Sequence, residues 1–306
     1  MIHHRLSYPA FGRQYPRPRG VSASRLPRTF SHSKKTVYRE YLPTPTLEPY
    51  VDRFWTKIAR AAEIPAQRVL PDGCVDILFY LHDAPLALIV GTMTRAIVVA
   101  SAEPQHIVAV RFRPGGAFAF LGTPLDELTD RHVELDEVLP GMRGVEERLA
   151  SLKTQRPEAA VAELERALLR RMAHVVPRHP LVLGGVDRIL RTDTPLRVGE
   201  LADALGVTRQ HLTRQFKVHV GIGPKELDRV IRMTRLTRWL DGVDGKGGDG
   251  DAVSRSGRVP RGAQKAPSAA QVAYELGYYD QSHMIHEFKS LTGITPREYA
   301  SRERGA

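Results

Sequence analysis

The sequence predicts an α+β chain: a small N-terminal β-sheet or barrel-like domain with helices, then an all-α C-terminal domain of two helix-turn-helix units joined by a linker helix. Three observations predict it. Between residues 68 and 112, short β-like runs follow one another with turn residues between them, the pattern of a small sheet or barrel. Beyond residue 180 the apolar spacing becomes helical. Within that last third the chain repeats itself at an offset of 72 residues: Phe216-Lys217 and Gly221-Ile222-Gly223-Pro224 recur as Phe288-Lys289 and Gly293-Ile294-Thr295-Pro296. Self-similarity at a fixed period marks a duplicated structural unit.

Composition bounds the reading. A chain of 306 residues holds about two domains, and a 42% hydrophobic fraction is enough for packed cores. The formal charge of +11 is unevenly spread. Residues 1–39 carry nine Lys or Arg and no acid, residues 40–177 are net −4, and residues 178–306 are net +6. A mildly acidic middle joined to a basic end fits a sensing module attached to a nucleic-acid-binding module. Cys74 is the only cysteine, which excludes an intrachain disulfide and a cysteine-based zinc site. No apolar run approaches the roughly 20 residues that span a bilayer, so no membrane partner is expected. The basic N-terminus is broken by Pro9, Pro16 and Pro18 with no apolar segment after it, and a cytoplasmic location is expected.

Along the chain, residues 1–39 form a basic extension rich in Arg, Pro and Ser, expected to be disordered. Residues 40–177 form the sensor or dimerisation-like domain. There Leu47, Tyr50, Val51, Phe54, Trp55 and Ile58 have helical spacing and predict a helix. Strands are predicted at Arg68–Leu70, Val75–Leu81, Leu86–Val90, Ala96–Ala100 and His106–Phe112, and a short helix at Ala117–Leu121. Helix follows from Val145 to His174, broken at Pro157. Pro177 and Pro180 mark the linker to the domain at 178–306, whose first helix is Leu181–Arg191. A Gly/Asp/Ser/Arg-rich tract at 242–267 reads as a flexible insertion.

Each repeated unit has the same frame. In the first, Ala202 permits close helix crossing, Gly206 permits a tight turn, Thr208 is placed to cap the second helix, and Leu212 and Phe216 face inward. Gln210, Thr213, Arg214 and Lys217 lie on other faces of that helix. The second unit repeats the scheme with Ala273, Gly277, Asp280, Met284 and Phe288, offering Gln281, Ser282, His283 and His286 outward. Gln and Arg make bidentate contacts to adenine and guanine edges in a major groove. Between the units, Pro224–Leu240 reads as one helix with proline at its first position. Its interleaved Arg229, Arg232, Arg235 and Arg238 would contact phosphates or solvate the helix. His283 and His286 stand three apart, but no third ligand accompanies them, and no metal or cofactor is expected.

Residues 181–300 resemble the DNA-binding domain of the AraC family of bacterial transcription regulators. The stretch that carries the resemblance runs from Ala273-Tyr274-Glu275-Leu276-Gly277 through Asp280-Gln281-Ser282-His283 to Phe288-Lys289, and closes with Gly293-Ile294-Thr295-Pro296-Arg297-Glu298-Tyr299. The resemblance implies two recognition helices placed in successive major grooves. Gln210, Thr213 and Arg214 match on the first helix, and Gln281, Ser282, His283 and His286 on the second. Met284 stands where an aromatic is frequent and His286 where an arginine is frequent. Residues 40–175 resemble the N-terminal domain of one branch of these regulators, through Leu70-Pro71-Asp72-Gly73-Cys74-Val75-Asp76 and Val110-Arg111-Phe112-Arg113-Pro114-Gly115-Gly116 among other segments. That implies a sensory or dimerising role.

Arg111 and Arg113 alternate on a strand just before a Gly-Gly turn into a helix. Two guanidiniums there would suit an anionic effector, or would pair with Asp72, Asp76 or Asp126. The expected partners are double-stranded DNA, a small-molecule effector, RNA polymerase and a second copy of the chain. An enzyme with a catalytic N-terminal domain and an accessory DNA-binding tail is the alternative. The sequence lacks a nucleophile elbow, a P-loop or a His-Glu-x-x-His motif, and the expectation is a regulator without catalytic activity.

Overall fold

The structure is a computed structural model that describes residues 28–33, 36–59, 64–81, 86–101, 104–152, 157–192, 194–241 and 268–304. Strand β8 (Gln105–Phe112) lies at the middle of a seven-stranded sheet and pairs antiparallel with β3 (Val51–Ala59) on one side and β5 (Val75–Tyr80) on the other. Outside β3 come β2 (Thr36–Tyr41) and β1 (Arg28–Ser33); outside β5 come β6 (Leu86–Val90) and β9 (His132–Glu134). β4 (Ile64–Val69) and β7 (Ile97–Ser101) form a separate antiparallel ribbon. The sheet begins before residue 40, because β2 is hydrogen-bonded along β3; the expected disordered extension is corrected to that extent, and residues 1–27 lie outside the described residues.

The sheet is buried on both faces. Phe54, Ile77, Phe79, Ile89, Val108, Val110 and Phe112 point to one side. There α1 (Phe118–Leu121), α2 (Leu135–Val138), α3 (Arg143–Ser151) and α4 (Pro157–Arg171) close the main core with Leu135, Leu149, Leu164 and Leu168. Tyr38, Trp55, Leu78, Tyr80, Leu88, Ile107 and Ala109 form a second cluster on the other side. This explains the one element predicted in the wrong class. The segment from Leu47 predicted as helix is a turn followed by strand β3, with Phe54 in one core and Trp55 in the other. Two buried faces erase the period-2 signal, and the apolar residues then match a helical template by coincidence.

The second face also holds charge. Arg53 is buried between Glu40 (2.7 Å) and Asp52 (2.6 Å), and Arg111 between Asp72 (2.9 Å) and Asp76 (2.7 Å). Buried charges persist only when paired in this way.

The C-terminal domain is helical, with α5 (Pro180–Arg191), α6 (Val198–Ala204), α7 (Arg209–Val220), α8 (Pro224–Leu240), α9 (Ala269–Glu275), α10 (Gln281–Thr292) and α11 (Pro296–Arg304). One apolar cluster runs through it, from Val182 and Ile189 through Leu212, Phe216, Val230 and Met233 to Phe288 and Tyr299. The expected flexible insertion at 242–267 lies outside the described residues.

The two domains meet at the end of α7. The His219 ring lies 4.1 Å from that of Phe118 in α1 and 5.2 Å from that of His179. Burial, and then the neighbouring His179, hold the His219 imidazole below its ordinary value. A depressed imidazole favours the folded state while it is neutral. This contribution is present above the unfolded value of about 6.5 and is lost as the pH falls through the folded one. The thermal midpoint is therefore expected to drop on acidification below about pH 6.5, and to drop less in His219→Phe, which keeps the aromatic contact without the proton. Equal pH slopes in thermal melts of the two proteins would contradict this.

Candidate nucleic-acid interface

The two units are built by the same local rules. In the first, Ala202 is fully buried at the crossing of α6 and α7, and Gly206 takes a φ of +69° in the turn. The Thr208 hydroxyl accepts the His211 N–H at 3.2 Å and so starts α7. In the second, Ala273 is fully buried, Gly277 has a φ of +75°, and the Asp280 carboxylate accepts the His283 N–H at 2.7 Å to start α10. Leu212 and Phe216 pin α7 to the core, and Met284 and Phe288 pin α10. Both helices end in a left-handed glycine, Gly221 and Gly293.

This frame sets which side chains face out. On α7, Gln210, Arg214 and Lys217 are exposed at i, i+4 and i+7, one stripe along the helix, with Thr213 half-buried beside it. On α10, Gln281, Ser282, His283 and His286 are all exposed. Applying the offset of 72 to the first stripe gives Ser282, His286 and Lys289, also all exposed. Lys289 belongs with Lys217, and the repeat register alone would have found it. The structure also exposes Tyr274 and Tyr279, at 83% and 90%, on the solvent side of the second turn.

His283 differs from its neighbours. Its Nδ1 accepts the Tyr279 backbone N–H at 3.2 Å, and its Nε2 lies 3.8 Å from Glu287. The ring braces the turn, and one of its two nitrogens is committed to that task.

The linker-helix arginines are mostly turned inward. Arg232 is buried and reaches Glu287 (3.1 Å), Asp228 (3.4 Å) and the Gly277 carbonyl (3.2 Å), with its guanidinium over the Tyr278 ring. Arg229 donates to Glu287 at 3.1 Å and to the Ser290 hydroxyl at 3.0 Å. Arg235 donates to the Thr192 and Leu190 carbonyls at the end of α5. The phosphate role expected for this row is therefore corrected for Arg232 and Arg235, which hold α10 and α5 against α8. Helical periodicity did place them on α8, but sequence alone could not show the carboxylates opposite.

In the N-terminal domain, Arg111 is chelated by Asp72 and Asp76. Arg113 donates to the Glu48 carbonyl at 2.8 Å and lies 3.6 Å from Asp52. Arg111 thus pairs with two of the three acids named for the ion-pair alternative, while Arg113 is engaged by Glu48 and Asp52, which that alternative did not name. Cys74 is buried beside them, and burial and then the Asp72 charge push its thiol well above the usual range. Among the described residues, no helix is long and apolar enough to cross a membrane.

Comparison with known proteins matches two segments. Residues 270–300 match the bacterial regulatory helix-turn-helix proteins of the AraC family, and residues 39–134 match a domain of unknown function, DUF6597. No curated protein sequence is matched. Among solved structures, the chain is similar to an AraC-type transcriptional regulator from Chromobacterium violaceum, with 22% identity over 40% of this chain and 92% of that one and a TM-score of 0.31. It is similar to the C-terminal domain of AraT, a response regulator from Geobacillus stearothermophilus, with 22% identity over 40% of this chain and 86% of that one and a TM-score of 0.31. It is also similar to ToxT from Vibrio cholerae, with 11% identity over 81% of this chain and 98% of that one and a TM-score of 0.42.

Proposed function

We propose that this chain is a DNA-binding transcription regulator of the AraC type, as the match of residues 270–300 supports, and that α7 and α10 enter successive major grooves of one duplex. The observation that carries the proposal is the pair of exposed stripes at identical repeat positions, Gln210/Arg214/Lys217 and Ser282/His286/Lys289, on a frame whose inward positions recur as Leu212/Phe216 and Met284/Phe288. Arg214 is the guanine reader, and Gln210 and Gln281 suit adenine. Ser282 and His286 add hydrogen bonds of lower selectivity, and Thr213 presents a methyl and a hydroxyl. His283 acts through the turn it braces. Lys217 and Lys289 at the C-terminal ends of the helices suit phosphates, which supply most of the affinity and make it salt-dependent. The net +6 of residues 178–306 supports the same reading.

The N-terminal domain modulates this binding, through a small molecule or through self-association, and RNA polymerase is the further partner. The test is selection of bound duplexes from a random library by the full chain. The expected result is a bipartite motif whose affinity falls linearly with salt on logarithmic axes. Recovery of unselected sequence, or binding with no salt dependence, would refute it.

A further inference from the structure

Among the places where the N-terminal domain meets the DNA-binding domain, two fall at the same position of the repeat. At the end of α7, the Thr92 hydroxyl donates to the Val220 carbonyl at 2.5 Å, and the Thr129 hydroxyl donates to the Gly221 carbonyl at 2.7 Å. At the end of α10, the Ala96 N–H donates to the Leu291 carbonyl at 2.7 Å, and the Arg68 guanidinium donates to the Thr292 carbonyl at 2.8 Å. Val220 and Thr292 are related by the offset of 72, as are the glycines that follow them. The last carbonyls of a helix have no partner inside it, and they carry its partial negative charge. Here one domain supplies those partners to both recognition helices. It approaches so closely that a Cβ on Gly221 would lie 2.9 Å from the Thr92 hydroxyl, and one on Gly293 would lie 3.0 Å from Arg68.

The donors sit on a braced platform. Thr94 donates to both carboxylate oxygens of Asp130, through its N–H at 2.8 Å and its hydroxyl at 2.5 Å. Asp130 has the one positive φ among the described non-glycine residues, +56°, a conformation that persists only where its surroundings enforce it. Its N–H in turn donates to the Thr92 carbonyl at 3.0 Å. The Thr92–Ala96 and Thr129–Asp130 segments are thereby tied together, while β4, which carries Arg68, pairs with β7 immediately after Ala96.

We infer that Thr92, Thr129 and Arg68 are positioning residues: the N-terminal domain is a strut that fixes the separation and orientation of the two recognition helices by capping both C-termini from one platform. The exposed stripes lie outside these caps, so the strut leaves Gln210, Arg214, Ser282 and His286 open to solvent. Its consequence for recognition is spacing selectivity. The inference rests on the two-groove reading only for that consequence; the strut itself is testable without DNA.

Two measurements on the full chain decide it. The first compares wild type with Thr92→Val/Thr129→Val/Arg68→Met, which removes the three side-chain donors while keeping side-chain bulk and leaves only the Ala96 N–H. Spin labels are placed on cysteines introduced at Lys217 and Lys289, and the distance distribution between them is recorded. The expected result is a narrow distribution in wild type and a broad one in the variant, with Thr92→Ser/Thr129→Ser as narrow as wild type. Equal widths in variant and wild type would overturn the strut. The second uses the selected duplex and versions with one to three base pairs inserted between its halves. Wild type is expected to lose affinity with each insertion. The variant is expected to bind the original spacing about tenfold more weakly, the worth of one or two hydrogen bonds, and to respond little to insertion. Unchanged spacing dependence in the variant, or tighter binding than wild type, would overturn the positioning role. If no duplex is selected, the two-groove reading fails while the label distances still decide the strut.

Discussion

Replacing Glu287 with alanine is expected to cost about 3–5 kcal/mol of stability, the penalty for removing one partner from a buried ionic group. Glu287 is buried on the inner face of α10, where its carboxylate receives Arg229 at 3.1 Å and Arg232 at 3.1 Å. Arg232 is itself buried, so its charge would be left with Asp228 alone, a carboxylate that burial raises despite Arg232 beside it. The damage is local in origin: the salt-bridged seam is what fastens α10 to α8. Glu287→Gln keeps a hydrogen-bond acceptor but removes the charge, and an intermediate loss is expected. Urea titrations of the three proteins check this, read as a shift in midpoint at constant slope. A Glu287→Ala midpoint within experimental error of wild type would show that the seam contributes nothing net.

Replacing Arg214 with alanine is expected to leave stability nearly unchanged and to weaken binding to the selected duplex by about 1–3 kcal/mol, roughly 5- to 150-fold. Arg214 is exposed, one turn beyond Gln210 on a helix whose opposite face is anchored by Leu212 and Phe216. Among the described residues, none hydrogen-bonds or ion-pairs with its head group. The loss should be concentrated at one base pair: duplexes altered at that position should bind wild type and variant alike. Lys217→Ala, by contrast, should weaken all duplexes evenly and reduce the salt slope by about one. Titrations at two salt concentrations separate these outcomes, and a uniform loss for Arg214→Ala would make it a phosphate contact.

Much of the candidate interface was legible in the sequence, because its determinants are local. Helix α8 spans Pro224–Leu240 as read, since proline opens it and the apolar spacing is uninterrupted. The caps at Thr208 and Asp280 form as read, because an N-cap depends on a side chain three residues from its partner. Three things were not legible, each because it depends on distant residues. Strand β3 carries no period-2 signal once both its faces are buried. Arg232 looked like its neighbours until Glu287, 55 residues away, was placed opposite it. The grip on Val220 and Thr292 spans 128 and 224 residues, and threonine or arginine in a loop announces no partner at that range.

Base-resolved contact mapping on the selected duplex decides whether the two units read two adjacent grooves. The protein is bound to duplexes lacking one base at a time, first as wild type, then as Arg214→Ala, then as Ser282→Ala/His286→Ala. Two patches of required bases are expected on one face of the duplex, centred about one helical turn, roughly 10 base pairs, apart. Arg214→Ala should erase contacts in one patch only, and the Ser282/His286 variant contacts in the other only. A single patch in wild type, or loss from the same patch in both variants, would contradict the two-groove reading.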